Sequence, residues 1–173
     1  MVVISALSWN VNGLVSKKRI LNGNKPKYEH LHYILEHFKF PKIVFLQETH
    51  LYRAEMLREW ENTFKEYKCY FNFGEFNSRG TAIFIHKSIP FTCQGVIQDR
   101  KGRCSIVKGI MYGERVSLVS VYAPHGDGRK ARIRKQLFES ILEHDLTGIL
   151  YIAGDFNSVV TKNWTDLMQI KPI

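Results

Sequence analysis

Gly148-Ile149-Leu150-Tyr151-Ile152-Ala153-Gly154-Asp155-Phe156-Asn157 decides how this chain of 173 residues is read. An apolar run of strand length, Gly148 to Ala153, stops at a glycine, and an Asp and an Asn follow with one residue between them. Period 2 puts Asp155 and Asn157 on the same side of an extended backbone. A carboxylate and a carboxamide there can be offered together to one phosphate or one metal ion. The competing reading is a turn, because Asp and Asn favour turns through local hydrogen bonds. What decides between them is whether other strands in the chain end the same way.

They do. Val3 to Trp9 reads as a buried strand that runs into Asn10-Val11-Asn12-Gly13, and Ile43 to Leu46 as a short one followed by Gln47-Glu48-Thr49. Strands are expected at 70–73, 81–86, 92–98, 103–112 and 115–122, and the last of these ends in Tyr122 before Ala123-Pro124. Helical spacing of apolar residues predicts helices over 27–38, 54–66 and 129–145. Strands and helices mix, but the middle is consecutive strands. The expected fold is therefore an α/β sandwich with mixed sheets and not a doubly wound parallel sheet. No linker, repeat or low-complexity segment divides the chain, so one domain is expected.

If the strand ends share a direction, Asn10, Asn12, Glu48, Tyr122, Asp155 and Asn157 converge on one side of a sheet. Carboxylate oxygens, amide oxygens and water are the ligands of a hard cation such as magnesium. Such a cation stabilises charge developing on phosphoryl oxygens, and Asn and Tyr can donate hydrogen bonds to the same oxygens. No phosphate-binding Gly-rich loop, nucleophilic-serine elbow or zinc helix competes. The seven histidines show no ligand spacing among themselves.

Net charge is +9, which favours polyanionic partners. Two clusters carry it. Lys17, Lys18 and Arg19, with Lys25 and Lys27, fill one glycine-containing segment without an acidic residue, and Arg129, Lys130 and Arg132, with Arg134 and Lys135, open the third helix. Three cysteines without a Cys-x-x-Cys pair read as ordinary thiols of a reducing compartment. No secretory signal and no apolar run of membrane-spanning length is visible, so an intracellular and, for a DNA-directed protein, nuclear location is expected.

Trp9-Asn10-Val11-Asn12-Gly13-Leu14, Leu46-Gln47-Glu48-Thr49-His50-Leu51, Ser120-Val121-Tyr122-Ala123-Pro124 and Gly154-Asp155-Phe156-Asn157, in that order, resemble the endonuclease/exonuclease/phosphatase superfamily. Gln-Glu-Thr-His-Leu and Val-Tyr-Ala-Pro look closest to the endonuclease domains of LINE-type retrotransposons, relatives of the abasic-site DNA-repair endonucleases and exonuclease III. The resemblance implies a four-layered, DNase I-like α/β sandwich and hydrolysis of DNA phosphodiesters with magnesium, or manganese. By motif, Glu48 is the principal metal ligand and Asn10 lies in the metal shell, with Asp155 and Asn157 as further members. Asp155 orients or activates the attacking water, or handles the leaving-group proton; Asn157 and Tyr122 contact the scissile phosphate. Asn12 stands where abasic-site enzymes commonly have Asp. The implied partner is double-stranded DNA, contacted through its backbone by a monomeric domain.

The family closes with a Ser-Asp-His-like motif whose His and Asp form the acid/base pair, and no Ser-Asp-His occurs in this sequence. The chain is therefore read as a domain without its C-terminal third, expected to nick DNA poorly or not at all. A phosphatase of inositol phosphates or lipids, a deadenylase, and a catalytically dead DNA-binding remnant of a retroelement are the alternatives that share these motifs.

Overall fold

Ile43-Val44-Phe45-Leu46-Gln47 has no exposed residue, as a strand covered on both faces requires. The computed structural model describes residues 3–14 and 27–158, and this strand lies inside the first of its two sheets. In chain order the elements are β1 (Ala6–Asn10), α1 (Lys27–His37), β2 (Ile43–Gln47), a 3-10 turn (Ala54–Leu57), α2 (Arg58–Thr63), β3 (Tyr67–Asn72), β4 (Thr81–His86), β5 (Phe91–Gln98), β6 (Cys104–Met111), β7 (Glu114–Tyr122), α3 (Arg129–Leu142) and β8 (Ile149–Asp155).

One sheet has the order β1-β2-β4-β3 and the other β5-β6-β7-β8. Both are mixed: β1 runs parallel to β2 and β7 parallel to β8, while the other neighbours are antiparallel. Alternation along each strand sorts side chains into layers. Ile43 and Phe45 of β2, Ile83 and Ile85 of β4, Val107 and Met111 of β6, and Val116 and Leu118 of β7 form the core between the sheets. The opposite residues of β2 and β4, Val44, Leu46, Ala82 and Phe84, pack under Leu31 and Leu35 of α1 and Trp60 of α2. Ile106, Val119 and Val121 pack under Leu137, Phe138 and Ile141 of α3. The result is the four-layered sandwich with mixed sheets that the sequence predicts.

β1 begins at Ala6 instead of Val3 and is partly exposed, and β3 begins at Tyr67 instead of 70; two further boundaries differ from expectation for identifiable reasons. The helix expected over 54–66 is a 3-10 turn followed by the six-residue α2. Its N-cap position is Leu57, which offers no side-chain acceptor to the free amides, and it closes at Phe64, so that Tyr67 can begin β3. Gly154 does not end the last strand but lies within it, paired with Val121 of β7. A Cβ there would run into the carbonyl oxygen of Val121, so glycine is what lets β8 approach closely enough to carry Asp155 as its final residue. The basic segment 15–26 lies outside the described residues. Cys69, Cys93 and Cys104 are free thiols, and burial pushes Cys69 and Cys104 up to about 12.

Substituting Gly154→Ala should cost about 1–3 kcal/mol, because a methyl group inserted into a packed strand pair forces a backbone shift. Urea unfolding should read this as a lower midpoint at unchanged slope. The same change at Gly95, in β5, where a Cβ would meet no atom within 4 Å, controls for the substitution itself.

Candidate active site

β1 and β2 end side by side, Asn10 being paired with Gln47, and Glu48 follows at once. β7 and β8 also end side by side, with Tyr122 paired to Asp155. These four ends meet across the two sheets. Asn10 Nδ2 donates to Asp155 Oδ2 at 2.8 Å, a contact between residues 145 apart in sequence. The Tyr122 hydroxyl faces the Glu48 carboxylate, close enough for Glu48 to raise the tyrosine pKa. Glu48 Oε2 lies 3.1 Å from His50 Nε2, both side chains being largely buried, at 18% and 15% exposure.

Asp155 and Asn157 share the site, but not along one extended backbone. The strand ends at Asp155, and Asn157 takes a left-handed φ of 45°. Its N–H donates to Asp155 Oδ1 at 3.1 Å and its Nδ2 to the Ala123 carbonyl at 2.9 Å. The local turn and the convergence on a site are thus the same structure: the turn ties Asn157 to the segment that follows Tyr122. Asn12 is exposed at the rim, its N–H bonded to Asn10 Oδ1 at 3.0 Å and its carbonyl accepting from Lys27 Nζ at 2.8 Å.

Asn12, Glu48, His50 and Asn157 all have φ between 44° and 57°. For residues with a Cβ this region is disfavoured by about 1–2 kcal/mol each, a concentration of strain of the kind found at functional sites. Neighbouring backbone holds it in place. The N–H groups of Gly13, Thr49 and His50 bond to the carbonyls of Glu48, Gly80 and Arg79 at 2.6, 3.0 and 2.8 Å. The His50 ring rests against Gly13, where a side chain would collide with it.

Burial pushes the Tyr122 hydroxyl well above the ordinary tyrosine range, and so do its hydrogen bond to Glu48 and the negative charges of Glu48 and Asp155; Arg79 opposes them. At neutral pH Tyr122 is a proton-bearing donor. Among the described residues no group of three or more His, Cys, Asp and Glu could hold a metal. The donor set instead offers the Glu48 and Asp155 carboxylates and the Asn10 amide oxygen. That fits a hard cation of the magnesium type, which uses one or two carboxylates and keeps water or phosphate in its other positions.

Of the basic residues, Arg129, Lys130 and Arg132 are exposed on the first turns of α3, reached from Tyr122 through the loop 123–128. Lys17, Lys18 and Arg19 lie outside the described residues. Arg134 turns inward and donates to the carbonyls of Pro124 and Gly126 at 2.9 and 3.2 Å, which fixes that loop. Two residues at the site were missed by sequence reasoning. His50 is the neighbour at i+2 from Glu48, and that spacing, not any spacing among the histidines, is the signal that points to it. Arg79 sits in a turn before β4, and nothing local in the sequence relates it to Tyr122.

Because the folded protein holds the Tyr122 proton where an unfolded chain would release it, near pH 10, stability should fall as pH rises through and above that value. Urea unfolding at stepped alkaline pH should show a smaller fall for Tyr122→Phe than for the unaltered chain.

Solved structures share the fold. TDP2 from D. rerio, complexed with single strand DNA product, is 20% identical over 96% of this chain and 64% of its own, with a TM-score of 0.65. The 3' phosphatase NExo from Neisseria, bound to a product DNA hairpin, is 20% identical over 92% of this chain and 60% of its own, with a TM-score of 0.64. The mannosyl-6-phosphatase Bt3783 of Bacteroides thetaiotaomicron is 15% identical over 96% and 70%, with a TM-score of 0.67. At such identities the likeness is one of fold, and the chain spans less than two thirds of the first two. A sequence profile matches residues 7–172, from the middle of β1 to beyond the Asp155 turn, and by that match the chain belongs to the Endonuclease/Exonuclease/phosphatase family.

Proposed function

We propose that this chain carries the metal-binding and phosphate-binding part of a magnesium-dependent DNA phosphodiesterase. The observation that carries the reading is that the Asn10–Asp155 hydrogen bond and the Glu48–Tyr122 pair join four strand ends of two different sheets. Glu48, with the Asn10 amide oxygen beside it, would hold magnesium, or manganese, with Asp155 and Asn157 at the edge of the same shell. A cation there supplies charge neutralisation on the phosphoryl oxygens and a more acidic water.

The chain's own groups do the rest. Asp155 is held through both oxygens by Asn10 and by the Asn157 N–H, so it keeps a fixed orientation as acceptor for the proton of an attacking water. The Asn157 carboxamide uses one of its two N–H donors on Ala123, and the second can reach a phosphate oxygen. Tyr122 keeps its proton, and its O–H would turn from Glu48 to a phosphate oxygen, as the second donor, once the Glu48 carboxylate holds a cation. Duplex DNA is the favoured substrate because Arg129, Lys130 and Arg132 are exposed beside this end of the sandwich and suit an extended phosphate backbone. With a DNA substrate, we place the chain in the nucleus, as a monomeric domain.

We further propose that the complete domain continues beyond these residues and provides the acid/base pair whose Ser-Asp-His motif this sequence lacks. Supercoiled-plasmid nicking tests both parts. The chain alone should relax plasmid about 10²–10⁴-fold more slowly than a complete enzyme of this type. Its residual turnover should need magnesium and should vanish with Glu48→Gln. Turnover that survives Glu48→Gln would overturn the site assignment. Rapid turnover abolished by it would overturn only the missing acid/base pair.

A further inference from the structure

The turn between β5 and β6, residues 99–103, closes against the site, and its cations have two different uses. Arg103 serves the turn itself. Its Nε bonds to Asp99 Oδ2 at 3.0 Å, the two side chains being 21% and 20% exposed. Asp99 Oδ1 accepts from the N–H groups of Arg103 and Cys104, and Asn72 Nδ2 donates to the Asp99 carbonyl at 3.1 Å. Gly102, with a φ of 68°, presses against the β3–β4 loop, residues 73–80; a Cβ there would come within 2.5 Å of Gly74 Cα and the Phe73 carbonyl oxygen. Arg100 and Lys101 are exposed at the apex of the turn and add nothing to this network.

Backbone bonds place the apex relative to the site. The Arg103 carbonyl accepts from Tyr122 N–H at 2.7 Å, and the Gly102 carbonyl from Gly80 N–H at 2.9 Å. The Gly80 carbonyl in turn accepts from Thr49, the residue after Glu48, at 3.0 Å. Lys101 Nζ lies 3.9 Å from Glu75 Oε1, the oxygen that also accepts from Arg79 Nη1 at 2.7 Å. In the two segments together Arg103 is matched by Asp99 and Arg79 by Glu75, which leaves the charges of Arg100 and Lys101 in excess. The sheet order β6-β7-β8 sets the sides. The turn joins the Tyr122 end of β7 from the β6 side. The segment leading to Arg129, Lys130 and Arg132 is tied to β8, where Ala123 N–H donates to the Asp155 carbonyl at 2.8 Å.

We propose that Arg100 and Lys101, at the apex of the β5–β6 turn, form a second phosphate-backbone anchor for duplex DNA, across the end of β7 from Arg129, Lys130 and Arg132. The anchor rests on the phosphodiesterase reading, which supplies the duplex. Two adjacent excess cations repel one another and give the fold nothing, whereas a polyanion compensates both and releases its condensed counterions. Phosphate contacts fix the position and orientation of a duplex without reading its sequence. Anchors on both sides of β7 therefore lay the backbone across the Tyr122 end of the sandwich, where Glu48 and Asn157 are also held.

The test is metal-free binding, in EDTA, of duplexes about two helical turns long and of unrelated sequence, followed by fluorescence anisotropy over a range of salt. Arg100→Gln/Lys101→Gln should weaken binding about tenfold at about 0.1 M salt, equally for each sequence, and should reduce the slope of log affinity against log salt by about two. The control is Lys39→Gln/Lys87→Gln. It removes the same charge from exposed positions at the far end of the first sheet, before β2 begins and after β4 ends, and should leave the slope unchanged. An unchanged slope in Arg100→Gln/Lys101→Gln, an equal loss in the control, or no binding by the unaltered chain would each overturn the proposal. Binding is read without metal or turnover, so a failed anchor leaves Glu48-dependent nicking standing, and nicking that survives Glu48→Gln leaves the salt slopes as measured.

Discussion

The two sheets meet through a short buried line of hydrogen bonds, and the site depends on it. Ser120 Oγ of β7 donates to the Leu46 carbonyl of β2 at 3.1 Å, and Gln47 Nε2 donates to Ser120 Oγ at 3.2 Å and to Ser8 Oγ at 3.4 Å. Thr81 and Ser105 hydroxyls bond at 2.6 Å, again from one sheet to the other. Each such bond contributes only about 0.5–1.5 kcal/mol net, but leaving a buried partner unmatched costs about 1–3 kcal/mol. Sliding one sheet over the other would unmatch several at once. An apolar interface alone tolerates such a slide; this line sets the register in which Glu48 faces Tyr122.

The division of the inter-sheet layer follows the same logic. Its apolar part, with Ile43, Phe45, Ile83, Val107 and Leu118, supplies non-directional burial. Gln47, Thr81, Ser105 and Ser120 are buried toward the end where the site lies. Asn72 extends the polar end, donating to the carbonyls of Asp99 and Cys104 at 3.1 and 2.8 Å. Burial holds the layers together, and the directional bonds decide where within the layers the strand ends stop. The left-handed residues Glu48 and His50 come directly after β2 leaves this polar end, held by bonds to the carbonyls of Gly80 and Arg79.

This arrangement explains why function concentrates at one edge. The two parallel pairs, β1 with β2 and β7 with β8, bring chain ends to the same side of the sandwich. The loop that leaves β2, 48–53, is bonded to the β3–β4 loop at Gly74, Arg79 and Gly80. Rigid strands hold the charged and amide groups, while exposed cations and aromatics sit on the surrounding segments. Arg134, anchoring Pro124 and Gly126, shows how a residue from the basic cluster can serve the site by positioning rather than by contact.

Much of this was legible in the sequence. Apolar runs and alternation of strand length located the eight strands, continuous apolar runs marking the buried β2 and β4 and the polar residues after the runs marking where strands end. Asn10, Glu48, Tyr122 and Asp155 were identified as strand-end residues for that reason, and the family order of their motifs joined them. The sequence could not tell that Gly154 continues a strand, since that depends on how near the Val121 carbonyl comes. It could not tell that Asn157 reaches the site by a turn, nor that Arg79 acts on Tyr122. Local periodicity determines what each segment is and which face it buries. Pairing between residues as far apart as Asn10 and Asp155 is decided by the packing of two sheets, and only the folded structure carries that information, because no local pattern records a distance across 145 residues of chain.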